Sequence, residues 1–478
     1  MKPLVIAGAA SGVGKTTVAA GIMGACRRRG LTVAPFKTGP DYIDPGFHAM
    51  AAGAPARNLD TWLTSEEEVR SIYRRGTAGA DIGVVEGAMG LFDGRAGAGD
   101  AGSTAEVNRL IGGAVVLVAD CARQARSLAA LLKGFAAFGA GIGLAGCILN
   151  NVGSAGHARI LEDAAREADV PVLGLLPRRP DIALPSRHLG LVQAGGTEPE
   201  REKLERIIDH IEQNTDIGAL LRVAGIADRP AAGAAADMRP AGGMEARPAG
   251  MAPAVRLASG GAAPRIAVAG DEAFSFYYLD SLEALEDAGA QLVRFSPLRD
   301  EALPACDGLY LGGGYPEVFA ARLEGNRPMR EAVAAAVAGG LPAYAECGGL
   351  VYLCGELVAE DGSRRRMAGA LPLTARMTGK RQALGYVEAT ARRGNILMPA
   401  GARVRGHEFH WSAIDWSLDD TAYDCYSGRM DRAAVDGFSA GNLLATYVHI
   451  HFGGNRGAAV SFVDACARAR GVSSHVRG

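Results

Sequence analysis

The sequence predicts an α/β protein of two domains, and three observations carry that prediction. Short β-type runs alternate with helical stretches from Leu4 as far as Leu221, a spacing that argues for a parallel sheet covered by helices on both faces. A second alternation starts afresh at Arg265. Between them, residues 228–264 are rich in Ala, Gly and Pro, with no periodicity and no aromatic residue, the composition of a flexible linker. The expected division is therefore a domain at 1–227, a linker at 228–264 and a domain at 265–478. A chain of 478 residues suits two or three cores better than one.

LVIAG opens the first domain as a strand and runs into the helix TTVAAGIMGACRRRG. LTVAPF, IGVVEG, AVVLVAD, LAGCILN and PVLGLLP read as the following strands. In the second domain RIAVAG, AQLVRFSP, DGLYLGGG and LPAYAECGG read as strands, with helices through SLEALEDAG and REAVAAAVAGG and shorter strands later, such as GNLLATYVHIHF. An apolar fraction of 48% supplies sheets buried on both faces. The net charge of −2 leaves no overall basic field for nucleic acid or a membrane surface. No run approaches the roughly eighteen apolar residues of a membrane span, and the N-terminal apolar run leads straight into a phosphate loop, as a strand does and a signal peptide does not. Eight scattered cysteines without a CxxC pair fit a reduced, cytoplasmic chain in which a special cysteine is catalytic.

Ala9–Thr16, AASGVGKT, follows the first strand and opens the first helix. Gly14, Lys15 and Thr16 match the pattern G-x-x-x-x-G-K-[ST], with Ala9 in place of its first glycine. The backbone of Ser11, Gly12, Val13, Gly14, Lys15, Thr16 and Thr17 is expected to cradle the phosphates of ATP. Lys15 would neutralise the outer phosphates and Thr16 would bind Mg²⁺. Glu86, ending the strand IGVVE, is the expected second Mg²⁺ ligand, and Asn150 in CILNN stands where adenine-reading asparagines occur. Ala10 occupies the place of the extra lysine of partition-type relatives, which argues against a DNA-positioning ATPase.

PFKTGPDYIDPGFH, Pro35–His48, reads as a loop after the second strand, on the side where ligands meet strand C-terminal ends. There Lys37 can bridge phosphate and a substrate carboxylate. Asp41 and Asp44 can hold Mg²⁺ or orient the acid to be phosphorylated, with Asp41 taken as a metal ligand. Which aspartate does which remains open at this point.

In the second domain Cys347 follows a strand and precedes Gly348, Gly349 and a helix, the arrangement of a nucleophile elbow. The helix N-terminus is expected to favour thiolate. LYLGGGYPE offers Gly313 and Gly314, together with Gly348, as backbone donors to an oxyanion. His449, in ATYVHIHF, is the expected proton carrier, with His451 as its alternative; Cys354 reads as core.

The order of glycine-rich oxyanion strand, cysteine elbow and distant histidine resembles the class I triad-type glutamine amidotransferases from about Arg265 to Phe452. That family mostly has glutamate two residues after the histidine; here the slot is His451, a departure shared with the corrinoid subgroup, and the partner that orients His449 stays unassigned. The N-terminal half resembles the dethiobiotin-synthetase-like P-loop fold. Across SGVGKTT, PFKTGPDYIDPGFH, RNLDTW, VVEGAMGLFDG, LPSRHLGLV, GGGYPE, ECGGLVYL and RGHEFHWS the whole chain resembles the cobyrinate a,c-diamide synthase family.

The resemblance implies a ligase that uses ATP and Mg²⁺ to convert the a and c acetates of cobyrinate to amides through acyl phosphates, with nitrogen from glutamine. It also implies a closed passage for ammonia. Lys37, Arg187, His188 and Arg405, with His407 and His410, are the expected contacts of the anionic corrin. The same reaction on metal-free hydrogenobyrinate and cobyric acid synthesis stand as alternatives, with a non-enzymatic P-loop switch more distant; RNLDTW and ILNNVGSAGH look nearer the cobalt version. A homodimer is compatible with this reading, and the sequence does not fix the oligomeric state.

Overall fold

A computed structural model describes residues 2–139, 141–182, 198–227, 262–416, 419–427 and 432–476. The chain divides into two compact units, Met1–Arg247 and Pro248–Gly478. Most of the expected linker, 228–261, lies outside the described residues, as do Arg187 and His188.

The first unit is built on seven strands: β1 (Leu4–Gly8), β2 (Val33–Thr38), β3 (Arg57–Leu59), β4 (Ile82–Glu86), β5 (Ala114–Asp120), β6 (Leu144–Val152) and β7 (Val172–Pro177). They form one parallel sheet in the order β3-β2-β4-β1-β5-β6-β7. Alternate residues of β1 face opposite cores. Leu4 and Ile6 join the core that includes Val18 and Ile22 of helix α1 (Lys15–Arg28), while Val5 and Ala7 join the one around Phe36 and Val85. Burial on both faces explains why these strands read as continuous apolar runs. Register brings the carboxyl ends of β2 and β4 together, with Lys37 opposite Glu86.

The stretch Pro35–His48 is not a loop throughout. Its first part completes β2, and Asp44–Ala52 is helix α2. Pro45 falls in the first turn, where its missing N–H costs nothing. Asp41 Oδ1 accepts the Ile43 and Asp44 amides at 2.8 and 3.2 Å, capping the entry.

The second unit contains β8 (Arg265–Ala269), β9 (Gln291–Phe295), β10 (Gly308–Leu311), β11 (Ala343–Glu346), β12 (Cys354–Val358), β13 (Arg364–Arg366), β14 (Leu371–Met377), β15 (Ala383–Ala391), β16 (Arg403–His410), β17 (Ser412–Ile414), β18 (Thr421–Ser427), β19 (Arg432–Ala440), β20 (Leu443–Thr446) and β21 (His449–Ile450). Ten of them form a mixed sheet, β21-β16-β15-β18-β19-β20-β11-β10-β8-β9, and four a smaller one, β13-β12-β14-β17. The run GNLLATYVHIHF, read as one strand, is two: β20 pairs with β11, and β21 pairs with β16 at the sheet edge. Side chains break it. The Asp436 carboxylate accepts the Thr446 hydroxyl and the Tyr447 amide, and Thr446 Oγ1 accepts the Val448 amide at 3.0 Å, so the donors that would extend the ladder are taken.

Among the described residues no helix is long and apolar enough to cross a membrane. All eight cysteines are free thiols.

Candidate functional site

Two constellations emerge, one in each unit. In the first, the turn after β1 is shaped by Gly12 at φ 77° and Gly14 at φ 96°, backbone angles that glycine adopts without penalty. Ser11 and Gly12 are exposed, Val13 and Lys15 buried, and Gly14, Thr16 and Thr17 half-buried. Lys15 Nζ donates to the Ala10 carbonyl at 3.1 Å. Asn150 lies against this turn, its Nδ2 donating to the Val13 carbonyl at 2.9 Å, and a side chain at Gly14 would collide with it. In this structure the Asn150 amide braces the loop itself.

Beside the loop is a buried cluster of charges. Thr16 Oγ1 donates to Glu86 Oε1 at 2.9 Å. Lys37 Nζ lies 3.3 Å from Asp44 Oδ2 and 3.4 Å from Glu86 Oε1, and donates to the Gly87 carbonyl at 3.0 Å. Burial pushes the Asp44 carboxyl up, and the charges of Asp41 and Glu86 add to it. Glu86 is held low in spite of its burial, by Lys37, His48 and the Thr16 hydroxyl. Asp44 and Glu86 share Lys37, and the charge of Asp41 acts on Asp44, so the cluster is rich in carboxylate oxygen.

His48 was missed by the sequence reading. It is fully buried with Nε2 2.6 Å from Glu86 Oε2. The available signal was its spacing: once DPGFHAMAA is seen as a helix, Asp44 and His48 are four residues apart on one face.

In the second unit Cys347 occupies the turn between β11 and the helix Gly348–Leu353, with φ 47° and ψ −100°. A non-glycine residue held there is strained, which is how an elbow exposes its nucleophile. Cys347 lines a cavity with Gly314, Glu317, Gly348, Phe409 and Trp411. The backbone packs closely around it: a Cβ on Gly348 would lie 2.9 Å from the Gly314 nitrogen, and one on Gly313 would lie 2.6 Å from His449 Cε1. The structure thus brings Cys347, Gly313, Gly314, Gly348 and His449 together.

The expected thiolate bias is not what the structure gives. Burial pushes the Cys347 thiol up, the Glu317 carboxylate adds to this, and the Gly348 N–H offsets only part of it. The helix is six residues long, so it contributes little dipole. Glu317 is itself pushed up to about 7 by burial.

His449 is buried at 1% exposure, paired across the strands with His407. Its Nδ1 stands 3.8 Å from Glu346 Oε2. His407 and His410, the expected corrin contacts, lie on the strand that runs beside His449. His410 stacks on Tyr447 at 3.8 Å between ring centroids and lines the cavity. Burial pushes His410 down to about 4, against its 2.7 Å hydrogen bond with the Ser412 carbonyl and aided by the charge of His449. Arg405, on the same strand, is exposed.

With this geometry in place, the likeness to known proteins is specific. Residues 4–192 match the CobQ/CobB/MinD/ParA nucleotide binding domain, and residues 265–457 match the CobB/CobQ-like glutamine amidotransferase domain. The cobyrinate a,c-diamide synthase of Syntrophotalea carbinolica is 45% identical over 97% of this chain and 98% of its own. That of a Synechococcus species is 40% identical over 98% of this chain and 99% of its own. The hydrogenobyrinate a,c-diamide synthase of Streptomyces coelicolor is 42% identical, covering 97% of each chain. Likeness of this extent over both units makes the chain a member of the cobyrinate a,c-diamide synthase family.

Proposed function

We propose that this protein is an ATP- and glutamine-dependent ligase that amidates the a and c acetate side chains of cobyrinate, in the cytoplasm. The observation that carries the reading is the pairing, in one chain, of a phosphate loop beside the Lys37–Asp44–Glu86 cluster with a Cys347–His449 centre. A carboxylate repels nucleophiles and has no good leaving group. Transfer of the γ-phosphoryl of ATP to one carboxylate oxygen makes an acyl phosphate and ADP; ammonia then attacks the carbonyl carbon and expels phosphate.

Lys15 and the backbone from Ser11 to Thr17 hold the phosphates, with Asn150 bracing the loop. Thr16 and Glu86, with Asp41, would hold Mg²⁺, which when bound neutralises charge on the transferring phosphoryl group. Lys37 spans the nucleotide and the substrate carboxylate, and Asp44 orients that carboxylate. Arg405, Arg187 and His188 are further candidates for the anionic periphery of the macrocycle. In the second unit His449 takes the Cys347 proton as sulfur attacks the glutamine carboxamide. It returns the proton to the departing ammonia, while amides of Gly314 and Gly348 face the oxyanion. Water then clears the thioester as glutamate.

An isotope experiment tests the synthetase half: with ¹⁸O in the substrate carboxylates, one labelled oxygen per amide should appear in inorganic phosphate. Unlabelled phosphate alongside amide product would exclude the acyl phosphate. A second reading, the same reaction on hydrogenobyrinate, is favoured by the Streptomyces coelicolor relative at 42% identity.

A further inference from the structure

We propose that Glu346 positions His449, taking over the work of the glutamate that most triad amidotransferases carry two residues beyond the histidine. The proposal rests on the reading of Cys347 and His449 as a glutamine-hydrolysing centre. His451, which fills that sequence slot, is held elsewhere: its ring packs on Tyr278 at 4.8 Å between centroids, and its Nδ1 accepts the Gly454 amide at 3.3 Å.

Glu346 is the last residue of β11, directly before the nucleophile and 1% exposed. Because side chains alternate along a strand, it projects away from the face that Cys347 serves. Both of its oxygens are fixed. Oε1 accepts the Tyr344 hydroxyl at 2.5 Å and the Ile450 amide at 2.9 Å, and Oε2 accepts the Tyr310 hydroxyl at 3.0 Å. The Ile450 contact ties the carboxylate to the residue next to His449, so ring and carboxylate move as one piece. Oε2 is the oxygen 3.8 Å from His449 Nδ1.

On its other side the imidazole is confined by Gly313, where any Cβ would meet Cε1 at 2.6 Å. With Nδ1 turned to Glu346 and Cε1 to the oxyanion loop, Nε2 is the nitrogen left for proton traffic with Cys347. At 3.8 Å the carboxylate acts on Nδ1 through its charge, favouring the tautomer with its proton there and stabilising the imidazolium formed when the thiol gives up its proton. The other ionisable groups around the pair include His407 and His410 on β16, Asp436 on β19 and Glu317 beside the cavity.

The test is glutamine hydrolysis by the full chain carrying Glu346→Gln or Glu346→Asp, with ammonia-driven amidation as the check on folding. Gln is isosteric and keeps an acceptor for the tyrosines, whereas Asp keeps the charge. The expected result is a fall in kcat of order 10² for E346Q at nearly constant KM, with E346D the more active of the two. Wild-type kcat in E346Q, or E346Q at or above E346D, overturns the proposal and leaves Glu346 a packing residue.

Should neither variant fold, Tyr310→Phe and Tyr344→Phe decide. Y310F releases the oxygen facing His449 and should lower kcat more than Y344F; equal effects overturn the proposal. Absence of Cys347-dependent glutamine hydrolysis in the wild type would instead remove the glutaminase reading beneath it.

Discussion

Lys37 and Glu86 stand opposite one another on adjacent parallel strands, with Nζ 3.4 Å from Oε1 and both side chains sealed from solvent. The pair lies at the carboxyl ends of β2 and β4, on the edge of the sheet where the phosphate loop leaves β1, and Glu86 also receives the Thr16 hydroxyl. A buried ion pair is weak evidence for stability alone, since desolvation offsets most of the attraction. On the proposed reading, its place beside Thr16 lets it handle charge in phosphoryl transfer.

Glu86→Gln should therefore cost amidation by at least about 100-fold on the proposed reading, because the variant keeps an acceptor for the Thr16 hydroxyl but removes the negative charge that faces Lys37 and would attract the cation. Folding should suffer by no more than about 3 kcal/mol, since Asp44 remains to pair with Lys37. Steady-state turnover and urea unfolding measure the two effects. A variant with near-normal turnover would take Glu86 out of the chemistry.

Asp41 has two separable roles. Its Oδ1 caps the turn into α2, and on the proposed reading its charge also serves a cation or substrate. Asp41→Asn keeps the acceptor, so ATP binding and thermal stability should stay near wild type while amidation stops. Asp41→Ala should in addition lose about 1 kcal/mol of stability. Calorimetric titration with ATP and product analysis check this; full turnover in D41N would confine Asp41 to capping.

Cys347→Ala should abolish glutamine-driven amidation and leave it running at high ammonia concentration, because the synthetase unit needs only ammonia. Loss of both activities would make the cysteine structurally essential instead.

The pH response of Cys347 follows from its surroundings. Burial raises the thiol first and Glu317 second. Glu317, pushed up to about 7, is charged in the alkaline range where the thiol ionises. Glu317→Gln removes that charge, so the midpoint for alkylation of Cys347 by iodoacetamide should move to lower pH. Mass spectrometry of the modified peptide at one fixed alkaline pH would show it as faster labelling of the variant, and unchanged or slower labelling would refute the electrostatic account.

What could be read from the residues followed from how local each signal was. The turn Ala9–Thr16 and the Cys347 elbow are contiguous strand–turn–helix units, so sequence alone placed them beside their backbone donors. Pro35–His48 misled because Gly, Pro and Asp dominate it; Pro45 in a first helical turn starts a helix rather than breaking one. Glu346 and His48 were invisible for a different reason. Their partners, His449 and Glu86, come from strands 103 and 38 residues further along the chain (449 − 346 and 86 − 48), and only the sheet order shows that they meet. The break between β20 and β21 likewise depends on Asp436 arriving from the neighbouring strand.

The central claim is that one chain joins glutamine nitrogen to two carboxylates of one macrocycle. Incubation with cobyrinate, ATP, Mg²⁺ and amide-¹⁵N glutamine, followed by mass spectrometry of the product, tests it most directly. Two labelled nitrogens per macrocycle are predicted. No labelled nitrogen with either cobyrinate or hydrogenobyrinate would contradict the account.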